Sequence, residues 1–299
     1  MVGRDDLLNA IALNSSMFNG ARIIGPAIAG VLVASIGEGW CFFVNAMSYL
    51  AVITGLLMMK ITAQARVPLP GSALASIIEG FRFAGAPGPI RALLILLGLV
   101  SLMGMPYLVL MPIFADQIFH GGAGELGLLM GASGVGALLG ALRLAVRQGV
   151  RGLGRWVALS TGAFGASLIL FSLSRSFWLS AVLLLPVGFA MMIGMAASNT
   201  LIQTMVPDHL RGRVMAVYSM MFMGMAPLGA LLAGALADRI GAPATVAIGG
   251  AVCIAGSVVF GFRLPVFKVE AKRMIVALRA AGGGPAEEVT GDGSVAALQ

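Results

Sequence analysis

The chain has 299 residues, 59% of them hydrophobic and 10% charged, with a mean hydropathy of +0.98. A soluble domain carries about 25% charged residues, so this composition excludes an ordinary soluble enzyme and indicates a protein that crosses the membrane many times. The net charge of +7 would suggest nucleic acid in a soluble protein; here its distribution among loops carries the information, and no nucleic-acid partner is expected.

A membrane span needs about 20 apolar residues. By that rule the chain is an all-α polytopic membrane protein with eight transmembrane helices, over residues 11–36, 40–59, 90–113, 125–146, 155–174, 177–203, 213–237 and 243–263. Residues 1–6 lead into a run too long and too striped with polar residues for a signal peptide, so none is expected.

The first span is the most unusual. It carries Arg22, and charge at lipid depth costs about 2.5 kcal/mol or more on insertion scales. Ser15, Asn19, Arg22 and Pro26 recur at spacings of four, three and four, which is one helix face. Such a stripe faces either a water-filled cavity or a neighbouring helix that it hydrogen-bonds; the expense of burying arginine favours the cavity. Gly25-Pro26 invites a kink, and Gly20, Gly25 and Gly30 leave one side bare for close helix approach.

Further along, Asn45, Ser48 and Tyr49 in the second span are candidate ligand contacts, with interhelical hydrogen bonding as the alternative. The linker 61–89 carries Leu74, Ile77, Ile78 and Phe81 at helical spacing, which predicts a short amphipathic helix at the membrane interface. Tyr107 in the third span joins the candidates. The fourth span holds Gly127, Gly131, Gly134, Gly136 and Gly140; inside an apolar run these suit close packing, not a phosphate loop. Asn199 and Gln203 close the sixth span as further candidates. Met191, Met192, Met195, Met215, Met220, Met221, Met223 and Met225 crowd the sixth and seventh, either as an adaptable ligand surface or as core filler. Cys41 and Cys253 lie in apolar runs and read as small packing residues. The tail from Pro265 begins basic, suited to anionic lipid, and turns acidic and disordered after Gly282.

If the spans alternate, sixteen of the nineteen Lys and Arg fall on one side, with Arg175 and Arg239 opposite and Arg22 within a span. Both termini are therefore expected in the cytoplasm.

An ungapped shift of 204 residues lays the first span on the seventh. Ser15 meets Ser219, Gly20 meets Gly224, Gly25 meets Gly229, Ala29-Gly30 meets Ala233-Gly234, and Ile36-Gly37 meets Ile240-Gly241. The second span then pairs with the eighth, while spans three to six have no counterparts ahead of the first. Parallel six-helix repeats build one large transporter class, with the site between the halves. The chain is thus expected to be the C-terminal two-thirds of a twelve-helix protein.

Asp5-Asp6-Leu7-Leu8-Asn9-Ala10, running on to Arg22 and Gly25-Pro26 through Gly30, resembles helix five of the major facilitator superfamily, in its enterobactin-exporter-like efflux branch. Gly25, Pro26 and Gly30 match the exporter motif of that helix, and Ala21 and Ala29 replace two of its glycines. Val206 to Arg213 resembles the loop before helix eleven, and Pro106-Tyr107 through Met111-Pro112 resembles helix seven. The resemblance implies helices five to twelve, divided into a remnant of the N-terminal half (1–60), the linker (61–89), a six-helix bundle (90–264) and a cytoplasmic tail (265–299). It also implies secondary active efflux of a small organic compound such as a drug or siderophore, proton-coupled, from the inner membrane and with the missing helices required. Of the superfamily's loop motif only Leu144, Arg147, Gly149 and Arg151 remain, with Val146 at the aspartate position. Gly234 to Gly241 imitates that motif on the opposite side and reads as a helix exit.

No Asp or Glu lies mid-span, so a proton carrier is expected in the missing helices or in a group other than a carboxylate. No metal cluster, cofactor motif or catalytic constellation is visible, and an enzyme is not expected. The rival reading is a truncated or non-transporting membrane fragment.

Overall fold

The computed structural model describes residues 38–58, 73–146 and 152–280. The first span, with Ser15, Asn19, Arg22, Gly25, Pro26 and Gly30, lies outside the described residues, as do the loop residues Arg147, Gly149 and Arg151 and the acidic end of the tail. The described residues form helices and no strand. They are α1 (Glu38–Met58), α2 (Ala73–Gly85), α3 (Pro89–Leu99), α4 (Tyr107–Ile113), α5 (Ala123–Ala145), α6 (Leu153–Leu173), α7 (Phe177–Met205), α8 (Asp208–Ser219), α9 (Met225–Ile240) and α10 (Ala242–Ala280). Seven stretches are long and apolar enough to cross a membrane, and they correspond to the second to eighth expected spans.

Two of the seven are broken helices. α3 and α4 form one crossing, Pro89–Ile118, interrupted by π turns at Val100–Gly104 and Phe114–Ile118. α8 and α9 form another, with a π turn at Met220–Gly224. Proline is the local cause of two of these turns: Pro106 and Pro227 lack the N–H that would bond the carbonyls of Leu102 and Met223, four residues back within the turns, and a wider turn accommodates the ring. At the first break the Met105 N–H donates to the Val100 carbonyl, 2.9 Å, five residues back. These turns keep the chain helical to Ile118, five residues beyond the boundary expected from hydropathy.

Glycine sets the packing of the unbroken helices. α5 meets α7 so closely that a Cβ on Gly188 would lie 1.8 Å from the Ser133 carbonyl oxygen, and one on Gly136 1.9 Å from that of Leu185. α6 and α10 approach reciprocally: a Cβ on Gly165 would lie 2.4 Å from the Gly250 oxygen, and one on Gly250 2.5 Å from the Gly165 oxygen. Backbones at this range gain dispersion contact and Cα–H···O contacts that any side chain would abolish. Two buried clusters fill the bundle. One, around Leu93, Val157, Ile202 and Val214, occupies the end where the basic residues gather; the other, around Phe114, Leu129, Phe171 and Leu184, occupies the opposite end.

α2 exists as the periodicity requires. It packs on α8: Glu79 pairs with Arg213, a Cβ on Gly80 would meet the Arg213 Cβ at 2.9 Å, and Ala84 is buried. Its other face leaves Ile78 and Phe81 exposed.

A second departure is at Pro265, where the sequence suggests that the last span has ended. α10 runs through it unbroken to Ala280. Apolar residues continue at helical spacing past the proline, and Phe267 and Ala271 are buried against the bundle, so packing carries the helix across the lost hydrogen bond.

α1 differs from all of these. Of its described side chains only Cys41 is even half-buried.

Candidate functional site

The two broken crossings meet at their π turns. The Ser101 hydroxyl, on the first turn of α3–α4, donates to the Phe222 carbonyl on the turn of α8–α9. A π turn leaves backbone carbonyls short of partners, and a buried serine at this point satisfies one of them. Proline supplies a second link. Pro106 leaves the Leu102 carbonyl without its helical donor, and Gly229 of α9 sits against it; a Cβ there would lie 2.4 Å from that oxygen. Val100 is about 16 Å along its crossing from Pro89, near the middle of a hydrocarbon layer about 30 Å thick.

Beside this junction lies a narrow crevice between α3, α6 and α7, with free space for about one water molecule. Leu96, Leu97, Val100, Val157, Phe164 and Ala190 give it apolar walls. Met191 and Met195 add adaptable thioethers, and Thr161 and Ser198 are its hydroxyl-bearing side chains. The lining carries no charge, so its walls present an apolar, neutral surface with hydrogen-bonding positions only at Thr161 and Ser198.

The sequence-selected residues fall into separate groups. Asn199 and Gln203 come together one turn beyond the crevice, where the Gln203 amide donates to the Asn199 Oδ1. Tyr218 of α8 lies beside Asn199, and its hydroxyl donates to the Met195 carbonyl, 3.1 Å. This cluster ties the crevice wall to α8. Tyr107 takes no place in the lining. It is 2% exposed, shares a 2.9 Å hydrogen bond with Ser133 of α5, and packs edge-on against Phe164, thereby supporting the crevice from behind. Asn45, Ser48 and Tyr49 are exposed on α1, where the Ser48 hydroxyl donates to the Asn45 carbonyl, 2.7 Å. The methionines divide: Met191 is buried, Met195 lines the crevice, and Met220 and Met223 are 53% and 71% exposed. Glu125 is a helix cap, accepting from the Gly122 N–H at 2.7 Å.

Ser101, Thr161, Ser198 and Tyr218 do not stand out in the sequence. Each is an isolated or clustered hydroxyl on an otherwise apolar helix, a pattern that also describes ordinary side-chain bonds to the helix's own backbone. Ser101 alone had a local signal, since it lies five residues before Pro106.

Residues 1–289 match the transmembrane secretion effector family. The chain is 32% identical over 244 residues to the multidrug efflux pump Tap of Mycolicibacterium fortuitum, covering 79% of this chain and 58% of that protein. It is 29% identical over 274 residues to the enterobactin exporter EntS of Shigella boydii serotype 18, covering 91% of this chain and 64% of that protein. The chain thus spans 58% and 64% of the length of these curated relatives. The described residues are helical apart from their turns, seven stretches among them are long and apolar enough to cross a membrane, and the family is one of transporters, not enzymes. The chain belongs to the transmembrane secretion effector family of the major facilitator superfamily.

Proposed function

We propose that the chain supplies helices five to twelve of an efflux transporter that moves a small organic compound out of a bacterial cell across the inner membrane, by proton-coupled antiport. The observation that carries this reading is the mid-membrane junction of two broken crossings, tied by Ser101 and Phe222, beside a neutral crevice with Met191, Met195, Thr161 and Ser198. Broken helices around a midplane site suit alternating access, and the names of the relatives, a multidrug pump and a siderophore exporter, agree with an apolar organic cargo.

The internal repeat extends the proposal to the first span. Ser15, Asn19, Arg22 and Pro26 correspond to Ser219, Met223, Ala226 and Ala230. Of these, Ser219 and Met223 are exposed and Ala226 and Ala230 half-buried, on the side of α8–α9 that the bundle leaves uncovered. By that equivalence Arg22 faces the interface between the two halves, where an anionic substrate group or an acidic residue from the other helices of the complete transporter would meet it.

In the complete transporter, Arg22→Ala should abolish export while leaving protein abundance in the membrane nearly unchanged. Arg22→Lys should restore only part of it, because an ammonium does not reproduce the planar fork of a guanidinium. Normal export by Arg22→Ala would overturn the role given to the arginine. Cysteines placed at Ser72 and Gly122 test the orientation: in intact cells an impermeant reagent should modify only the one at Gly122, and modification at Ser72 would refute cytoplasmic termini.

A further inference from the structure

α10 is longer than any crossing requires. Its 39 residues extend about 58 Å, against about 40–45 Å for a bilayer with its headgroups. The excess is at the basic end and is not a loose tail. Phe267 and Ala271 are buried against the start of α6, where a Cβ on Gly154 would lie 2.9 Å from the Phe267 ring.

The opposite face of this extension is uncovered and apolar. Val258, Phe262, Val266, Val269 and Val276 are exposed and fall within about 40° of one line along the helix. The first two belong to the spanning part, so the line exposed within the membrane continues past it without interruption. In water such a valine stripe would stand uncovered. Charge defines its surroundings: Arg263, Lys268, Lys272 and Arg273 are exposed along the extension, and Arg155 is exposed in the first turn of α6. The one acid on the extension, Glu270, is half-buried.

We infer that residues 263–277 form a docking surface for anionic phospholipid at the bilayer surface. The valines enter the headgroup layer, and Lys268, Lys272 and Arg273 pair with headgroup phosphates. Valines flanked by cations, continuous with a membrane-exposed line, match a lipid surface better than a protein partner. A protein-binding face would centre on a desolvated aromatic or arginine anchor, whereas Phe262 and Arg273 on this stripe are exposed and are taken up by a lipid surface without a pocket.

The test uses the whole chain with Cys41 and Cys253 replaced by alanine and an environment-sensitive fluorophore on Val276→Cys, in nanodiscs. With phosphatidylglycerol present, quenching by acrylamide, a neutral reagent, should fall about fivefold relative to purely zwitterionic discs. The triple variant Lys268→Gln, Lys272→Gln and Arg273→Gln changes only exposed side chains and should lose that protection, as should addition of about 1 M salt. Equal quenching in both kinds of disc, or protection that survives the triple variant, would overturn the inference.

Discussion

The helix pairs α5–α7 and α6–α10 and the crossing α8–α9 are built on opposite terms. In the pairs, glycine lets backbones meet closely enough that an added Cβ at Gly188 or Gly165 would fall within 2.4 Å of a carbonyl oxygen. In α9 only Gly229 and Ala233 are buried, while Met220, Met223, Leu228 and Leu231 stand exposed around it. The pairs can only stay together, since sliding one helix would drive backbone into backbone. α8–α9 is anchored on one side, by Val214 and Tyr218 in the core and by the contacts at Ser101, Gly229 and Glu79, and keeps its other face open. A transporter needs both kinds of contact: a body that moves as one, and a surface along which it moves.

The comparison breaks most visibly at Gly188. Gly188→Val would force a side chain into the Ser133 backbone, and overpacking of this kind costs about 1–3 kcal/mol or more. The expected outcome is severe loss of folded protein in detergent, measured by thermal unfolding; an unchanged melting temperature would mean that α5 and α7 do not approach as described. Ser101→Ala should have a smaller effect. It leaves the Phe222 carbonyl unpaired and should lower stability by about 1 kcal/mol. Because the serine joins two π turns, export by the complete transporter should fall more than stability does. A proportional loss of both would make Ser101 only a structural bond.

Much of this architecture is legible in the sequence. Apolar run length marks the seven described crossings, and the glycine spacing of the fourth span anticipates the close contacts at Gly136 and Gly140. Gly234 to Gly241 is the helix exit that charge topology suggested: α9 ends at Ile240, and Gly241 takes a positive φ of 85° with its N–H on the Ala237 carbonyl, 2.9 Å. What escapes is decided between helices. Pro106 and Pro112 announce trouble in the third crossing, but not whether the chain will kink or widen into π turns. Pro265 suggests a stop, yet burial of Phe267 and Ala271 overrides it. Asn199 and Gln203 could be paired from their four-residue spacing; the Tyr218 that completes their cluster comes from another helix. Tyr107 looked like a ligand contact because its partner, Ser133, lies 26 residues away on α5.

The most direct test compares two side chains that are equally exposed in the bundle, Met223 on the open face of α8–α9 and Leu159 on the outer face of α6, each at 71%. The first is assigned to the interface between halves, lined by water during transport, and the second to lipid. In the complete transporter, with Cys41 and Cys253 replaced by alanine, Met223→Cys should react with a water-soluble thiol reagent at least about tenfold faster than Leu159→Cys, because a thiol in hydrocarbon does not ionise. Addition of exported compound should change the Met223→Cys rate and leave the other alone. Equal and slow reaction at both positions would contradict the account, since α8–α9 would then face lipid and the transport pathway would lie elsewhere.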